Sequence, residues 1–184
     1  PMLGAKVGIL GAGPIGLGIL QVARLAGAGA IYVTDKIDSR IAAALAHGAC
    51  WAGHPDQDDV AAVVLKAQPL GLDVVFECCG QQEALDQGTR MLRPGGKLMV
   101  VGIPEAERIT FMPDVVRRNE LCIQHVRRQV HCVEPALELI ESGRLDVGFM
   151  ATHRFGFEQT GEAFEMVRHY AGGVIKAMIR VAGD

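Results

Sequence analysis

The chain has 184 residues, about half of them apolar, which is enough to bury one good core and a small appendage. Its 18 basic and 21 acidic residues give a formal charge of −3 with no basic block, which argues against a nucleic-acid partner. Apolar runs are short and broken by glycine or charge, so no signal peptide, membrane span or membrane partner is expected.

Pro1-Met2-Leu3-Gly4 leads almost at once into an apolar strand, and a proline before the first methionine reads as the start of a piece cut from a longer polypeptide. Val7 to Leu10 then runs into Gly11-x-Gly13-x-x-Gly16, after which Leu17, Ile19, Leu20, Val22 and Leu25 continue the pattern of a helix. Gly11 permits a tight turn, Gly13 lets a pyrophosphate approach the backbone, and Gly16 lets helix and strand pack closely. Pro14 and Ile15 open that helix, whose free N–H groups would face phosphates, and the missing donor of Pro14 costs nothing there. A lone motif of this kind is weak, because glycine-rich turns occur in many proteins that bind no nucleotide. Its continuation strengthens it. A second strand, Ala30 to Thr34, ends in Asp35, nineteen residues after Gly16, where a carboxylate would accept hydrogen bonds from an adenosine ribose diol. Asp35 favours NAD over NADP, since its charge would repel a 2′-phosphate, while Lys36 and Arg40 pull the other way. Asp38 is read as the cap of a helix from Ser39 to about His47. Arg40, in its first turn, is placed to stack on an adenine or meet a phosphate, the plainer alternative being a solvated helix residue.

Gly48-Ala49-Cys50-Trp51 reads as a short third strand, and Pro55 with Asp56, Asp58 and Asp59 as the opening of a helix through Val60, Val63, Val64 and Leu65. Leu72 to Glu77 is nearly continuous in apolar residues, as a strand covered on both faces should be. Cys78-Cys79-Gly80 follows at its carboxyl end, which borders the ligand crevice in an open parallel sheet, so Gly80 would permit close approach of a cofactor. The two cysteines read as packing residues rather than nucleophiles. All five cysteines together make neither paired CxxC modules nor a disulfide pattern, which suggests a reducing, cytoplasmic compartment. A helix from Gln82 to Met91 stops at Arg93-Pro94-Gly95-Gly96, and Lys97 to Val101 forms the fifth strand, with Gly102-Ile103-Pro104 again at the crevice edge. Val115 and Val116 lie in a further helix, Leu121 to Val126 is the sixth strand, Arg127-Arg128-Gln129 follow, and a helix from Val133 to Ser142 stops at Gly143. Six strands alternating with helices predict an α/β fold, a doubly wound parallel sheet of Rossmann type. The rest breaks that rhythm: Thr152 to Phe155 as a strand, Glu158 to His169 as an amphipathic helix, and Val174 to Val181 as a strand of mixed patterning. Residues 1–147 are therefore expected to form a cofactor-binding domain, and 148–184 to belong to a second domain whose other parts are missing.

Leu10-Gly11-Ala12-Gly13-Pro14-Ile15-Gly16, Val33-Thr34-Asp35, Phe76-Glu77-Cys78-Cys79-Gly80, Pro94-Gly95-Gly96, Val100-Val101-Gly102 and Thr152-His153-Arg154-Phe155 stand in the order found in zinc-dependent medium-chain alcohol dehydrogenases. Over essentially its whole length the chain resembles their sorbitol (polyol) and threonine dehydrogenase branch. The resemblance implies a GroES-like catalytic domain upstream, to which the chain returns after about residue 148. It also implies that the catalytic zinc ligands, a Gly-His-Glu motif and a four-cysteine zinc lobe lie in that absent part. The full-length parent would transfer a hydride from a secondary alcohol or polyol to C4 of NAD with zinc as Lewis acid, and the chain by itself would be catalytically incomplete. Carried over by resemblance, Gly11, Gly13 and Gly16 match the pyrophosphate turn, Asp35 the ribose carboxylate and Arg40 an arginine near the adenosine end. Gly80, Gly102 and Ile103, with Cys79 and Val101 beside them, sit on loops that line the nicotinamide. Arg127 or Arg128 corresponds to an arginine near the substrate, but an aromatic-arginine-tyrosine run there reads Arg127-Arg128-Gln129 here, which leaves the substrate open.

No catalytic residue and no metal site is assigned within the chain. Its six histidines lack ligand pairing, including His125 and His131 near Cys132. Tyr32 and Lys36 have the Tyr-x-x-x-Lys spacing of short-chain dehydrogenases, but across a strand four residues span about 13 Å, too far for a shared proton relay. A stand-alone NAD(H)-sensing module that dimerises without catalysis fits the features up to about residue 145 equally well, yet has no need of Thr152 to Val181. The apolar edge strand Leu121 to Val126 must be paired or protected. The family implies a two-fold contact there, giving a homodimer or, through further contacts, a tetramer.

Overall fold

The apolar runs read above become parallel strands joined by helical crossovers in the computed structural model, which describes residues 2–181. Pro1 and residues 182–184, the outer ends of the two expected domains, lie outside the described residues. The elements are β1 (Lys6–Leu10), α1 (Pro14–Leu25), β2 (Ala30–Thr34), α2 (Asp38–Ala46), β3 (Trp51–Gly53), α3 (Val60–Ala67), β4 (Leu72–Glu77), α4 (Gln82–Met91), β5 (Leu92–Val100), α5 (Pro113–Arg118), β6 (Cys122–His125) and α6 (Val133–Glu141). These are followed by β7 (His153–Gly156), α7 (Thr160–Arg168) and β8 (Ala177–Arg180). Six strands form one sheet in the order β3-β2-β1-β4-β5-β6, and every neighbouring pair is parallel. This is the doubly wound Rossmann sheet that the sequence predicts.

Neighbouring residues of a strand point to opposite faces, so the sheet has a core on each side. Val7, Ile9, Ile31 and Val33 pack with Leu17 and Leu20 of α1. Leu10, Tyr32 and Val75 pack on the other face with Val64 of α3 and Leu85 of α4. The chain runs from β1 outward to β3, then returns to the far side of β1 to lay down β4, β5 and β6. The strand order therefore reverses between β1 and β4, and the carboxyl ends of those strands flank a crevice.

Several boundaries differ from expectation for local reasons. β3 starts at Trp51 rather than Gly48, because Gly48 adopts φ +105° in the turn that closes α2 and the strand is confined to residues paired with Tyr32–Thr34. Pro55 does not open α3: residues 54–58 form a turn held by the Asp58 N–H donating to the His54 carbonyl at 2.9 Å. The true cap is Asp59, whose Oδ1 accepts from the Ala62 N–H at 3.1 Å. Asp38 is the first helical residue of α2 and not its cap, since Ile37 holds that position. β5 begins at Leu92, loops out over Arg93–Gly96, and resumes full pairing at Lys97, where its register with β4 shifts. The sixth strand is trimmed to Cys122–His125.

Residues 153–180 form a small βαβ unit, with β7 and β8 paired in parallel across α7. Met150 and Ile175 join the core beneath α1, and Phe149 stacks on His47 with ring centroids 3.5 Å apart. The unit is thus fastened to the main sheet, while Phe157, Phe164 and Met178 on it stay exposed.

Candidate functional site

At the end of β1 the backbone turns through Gly11, whose φ of +102° lies in the left-handed region open to glycine. Gly13 caps α1 in an extended conformation and Pro14 is the first helical residue, so no side chain covers the helix start. A Cβ on Gly16 would overlap the Gly11 carbonyl oxygen and press on Ile9. Only glycine lets α1 begin this close to β1. The first amides of a helix lack partners within it, and those of Ile15 and Gly16 belong to this set.

Asp35 stands at the end of β2 beside that turn, with only 9% of its surface exposed. Its Oδ2 accepts from the Ala12 N–H at 2.7 Å and its Oδ1 from the Ile37 N–H at 3.0 Å, which ties the carboxylate to the glycine turn. Arg40 is not a solvated helix residue. Its Nη1 lies 3.9 Å from Asp35 Oδ2 and would lie 3.7 Å from a Cβ on Gly13, so the guanidinium bridges from carboxylate to turn. The same group sits over the ring of Tyr170, 4.9 Å from its centroid, in a cation–π contact that reaches across from the βαβ tail. Arg40 Nε is buried without a partner.

These groups line one crevice of about 420 Å³, to which Gly11, Asp35, Lys36, Arg40, Cys79 and Tyr170 contribute. Pro55 and Ala84 form its apolar wall. At the rim the Lys36 ammonium pairs with Asp56 at 2.8 Å, and the two exposed groups hold each other charged: Asp56 raises the Lys36 pKa, and Lys36 lowers that of Asp56.

Past the switch point, the loops after β4 and β5 touch. The Val101 and Gly102 N–H groups donate to the Glu77 carbonyl at 2.8 and 2.9 Å. A Cβ on Gly80 (φ +72°) would strike the Ile103 carbonyl, and one on Gly102 would strike the Gly80 amide. Ile103, on the loop after β5, is 88% exposed. Burial, with the nearby Glu77 carboxylate adding to it, pushes the thiols of Cys78 and Cys79 up to about 12, so neither is a nucleophile at neutral pH.

The structure thus gathers Gly11, Gly13, Pro14, Ile15, Gly16, Asp35, Lys36 and Arg40 at one end, and Cys79, Gly80, Val101, Gly102 and Ile103 on adjoining loops. Arg127 and Arg128 lie exposed beyond β6 and do not line the crevice. Tyr32 is buried in β2, where its hydroxyl accepts from Gln68 Nε2 at 2.9 Å, away from any pairing with Lys36. Among the described residues, no group of three or more His, Cys, Asp or Glu side chains could hold a metal ion. Sequence reasoning missed Tyr170, which no local signal links to Arg40, and the role of Glu77, whose signal is a charge directly after the apolar run Val74-Val75-Phe76. Backbone amides, one carboxylate and one guanidinium along a slot suit a diphosphate-linked ligand bearing hydroxyls.

A family model described as zinc-binding dehydrogenase matches residues 14–142. The chain is 30% identical over 177 residues to sorbitol dehydrogenase from Bacillus subtilis (strain 168), covering 96% of this chain and 50% of that protein. It is 32% identical over 184 residues to D-xylulose reductase from Saccharomyces cerevisiae, covering 96% of this chain and 51% of that one. Among solved structures it superposes on alcohol dehydrogenase TADH from Thermus sp. ATN1 with a TM-score of 0.92 and 27% identity, over 98% of this chain and 52% of that chain. The chain spans about half the length of the relatives it matches.

Proposed function

Because the chain belongs to the zinc-binding dehydrogenase family, we propose that its crevice holds NAD and that the full-length enzyme oxidises a secondary alcohol or polyol to a ketone. The observation that carries this reading is Asp35, tied by Oδ2 to the Ala12 amide within the glycine turn and facing the crevice beside Arg40. When bound, NAD supplies the nicotinamide that accepts a hydride. The Gly13 amide and those of Ile15 and Gly16 at the start of α1 bind the diphosphate, Arg40 Nη1 faces it, and Asp35 accepts hydrogen bonds from the adenosine ribose. Pro55 and Ala84 flank the adenine. Gly80 and Gly102 let the loops after β4 and β5 meet beneath the nicotinamide half, and the exposed Ile103 supplies an apolar side chain beside it. Asp35 repels a 2′-phosphate, and Lys36 is already engaged by Asp56, which favours NAD over NADP.

Zinc does not fit the described residues, which offer no donor set, so ligands for it must come from outside them. Residues 1–147 act as the cofactor unit, and the segment from 148 belongs with a catalytic domain. In support, Phe157, Phe164 and Met178 leave an apolar face uncovered, which a stand-alone NAD(H) sensor has no use for. The polyol class of substrate follows the names of the matched relatives. Five unpaired cysteines fit a reducing, cytoplasmic setting. The edge strand β6, with Val126, Val130, Val133 and Leu137 exposed around it, is the surface for a two-fold contact with a second copy. Light scattering of a Val133→Glu/Leu137→Glu variant checks this: a smaller mass than wild type supports the contact, and an unchanged one contradicts it.

Calorimetric titration of the chain with NADH and NADPH tests the cofactor assignment. NADH is expected to bind more tightly, and Gly13→Ala and Asp35→Ala each to weaken it at least tenfold, about 1.4 kcal/mol. Unchanged affinity in both variants removes the assignment.

A further inference from the structure

β4 ends in a buried acid. Glu77 has no exposed surface, and among the described residues no basic side chain pairs with it. Burying a carboxylate is costly unless hydrogen bonds satisfy it. Its Oε1 accepts two, from the Cys79 N–H at 2.7 Å and the Gly80 N–H at 2.6 Å. Its main-chain carbonyl accepts two more, from Val101 and Gly102 on the other loop. Oε2 has no partner and lies against Gly102, where an added Cβ would come within 2.7 Å of it. One residue therefore gathers the loops after β4 and β5, and the two glycines let them close around its carboxylate. An apolar side chain would fill the same space but leave the Cys79 and Gly80 amides without their acceptor.

We propose that Glu77 is a positioning residue that sets the spacing of the Cys78–Gln81 and Val101–Pro104 loops for the nicotinamide half of the cofactor. This rests on the NAD reading above. A dinucleotide spans the switch point, so with its adenosine ribose at Asp35 on β2, its other half falls on the β4–β5 side, over those loops. Glu77 is fully covered and touches no ligand itself. Its loss alters the shape that the loops present. Cys79 and Gln81 also edge the crevice at Asp35, but the groups that hold the adenosine half, the amides of Gly13, Ile15 and Gly16 together with Asp35, make no hydrogen bond to Glu77, and Asp35 keeps its own partners without it.

Calorimetry with two ligands separates these effects: NADH, and ADP-ribose, which lacks only the nicotinamide ring. Glu77→Gln keeps the shape and one acceptor, and Glu77→Ala removes both. NADH binding is expected to weaken about fivefold in Glu77→Gln and at least tenfold in Glu77→Ala, with ADP-ribose staying within twofold of wild type. Parallel losses for both ligands would show a merely structural role and overturn the proposal, as would NADH affinity that changes in neither variant. If Glu77→Ala fails to fold, Glu77→Gln decides. A wild-type chain that binds neither ligand overturns the NAD reading and this proposal with it. One that binds ADP-ribose and NADH regardless of residue 77 overturns the proposal alone.

Discussion

Replacing Asp35 with alanine probes the turn and the site together, and its cost can be worked out from two hydrogen bonds. The first, at 2.7 Å, satisfies the amide of the fully buried Ala12, and the second, at 3.0 Å, satisfies the part-buried Ile37 amide. Leaving a buried donor unpaired costs about 1–3 kcal/mol, and losing the second bond about 1 kcal/mol more. Arg40 at 3.9 Å adds little at that distance. The sum is about 2–4 kcal/mol, and for a domain of this size each kcal/mol lowers the Tm by about 2–4 °C, so a fall of roughly 5–15 °C is expected. Asp35→Asn should lie between, because its single amide oxygen can serve only one of the two N–H groups. Differential scanning calorimetry at neutral pH measures both variants. An Asp35→Ala protein that melts within about 1 °C of wild type would refute the reasoning, since the carboxylate would then not be holding the glycine turn.

Gly16→Ala pushes a Cβ into the Gly11 carbonyl and should cost about 1–3 kcal/mol or more while abolishing saturable NADH binding. Gly18→Ala, whose Cβ meets nothing within 4 Å, should instead stabilise α1 by about 0.5–1 kcal/mol and leave binding intact; equal effects at the two positions contradict the close approach. The Lys6 amide, and with it Arg93, holds the Asp73 carboxyl below the usual carboxylate range. A depressed folded-state pKa stabilises above the unfolded value and loses that stability as pH falls through the folded one, so the wild-type advantage over Asp73→Asn should begin to fade below about pH 4 and be gone only below the depressed folded value. Parallel melting curves across pH 2–6 would speak against it. Thiol labelling at pH 8 should modify Cys50, Cys122 and Cys132 quickly and Cys78 and Cys79 slowly, because the latter pair is held at about 12 even though Cys79 reaches the surface; fast labelling of Cys79 contradicts the assigned environment.

The parts of the fold that could be read in advance are those whose local pattern coincides with their tertiary role. Ala30–Thr34 is buried at every position, and an unbroken apolar run between glycine and Asp35 permits little else. Leu72–Glu77 is legible from its Val74-Val75-Phe76 run, and Gln82–Met91 from the spacing that puts Leu85, Gly88 and Met91 on its buried side. β3 was misplaced because three residues carry too little pattern, and their extent is set by pairing with β2. The start of α3 was misread because Pro55 and three aspartates all suit a helix start, and only the Ala62 N–H donating to Asp59 selects among them. At the site, Gly11, Gly16 and Asp35 could be read because each backbone demand narrows the residue choice. Tyr170 could not, since the Arg40 contact joins residues 130 apart in sequence and depends on how the tail docks. Glu77 was visible as a residue, but its function lies in hydrogen bonds to two loops that only the folded chain brings together.

A crystal structure of the chain grown with NADH tests the central claim most directly. The diphosphate is expected over the Gly11–Gly16 turn at the start of α1, with an adenosine ribose hydroxyl donating to Asp35 and the nicotinamide over the Gly80 and Gly102 loops. Ordered NADH elsewhere on the surface, with the turn and the Asp35 carboxylate untouched, would contradict it.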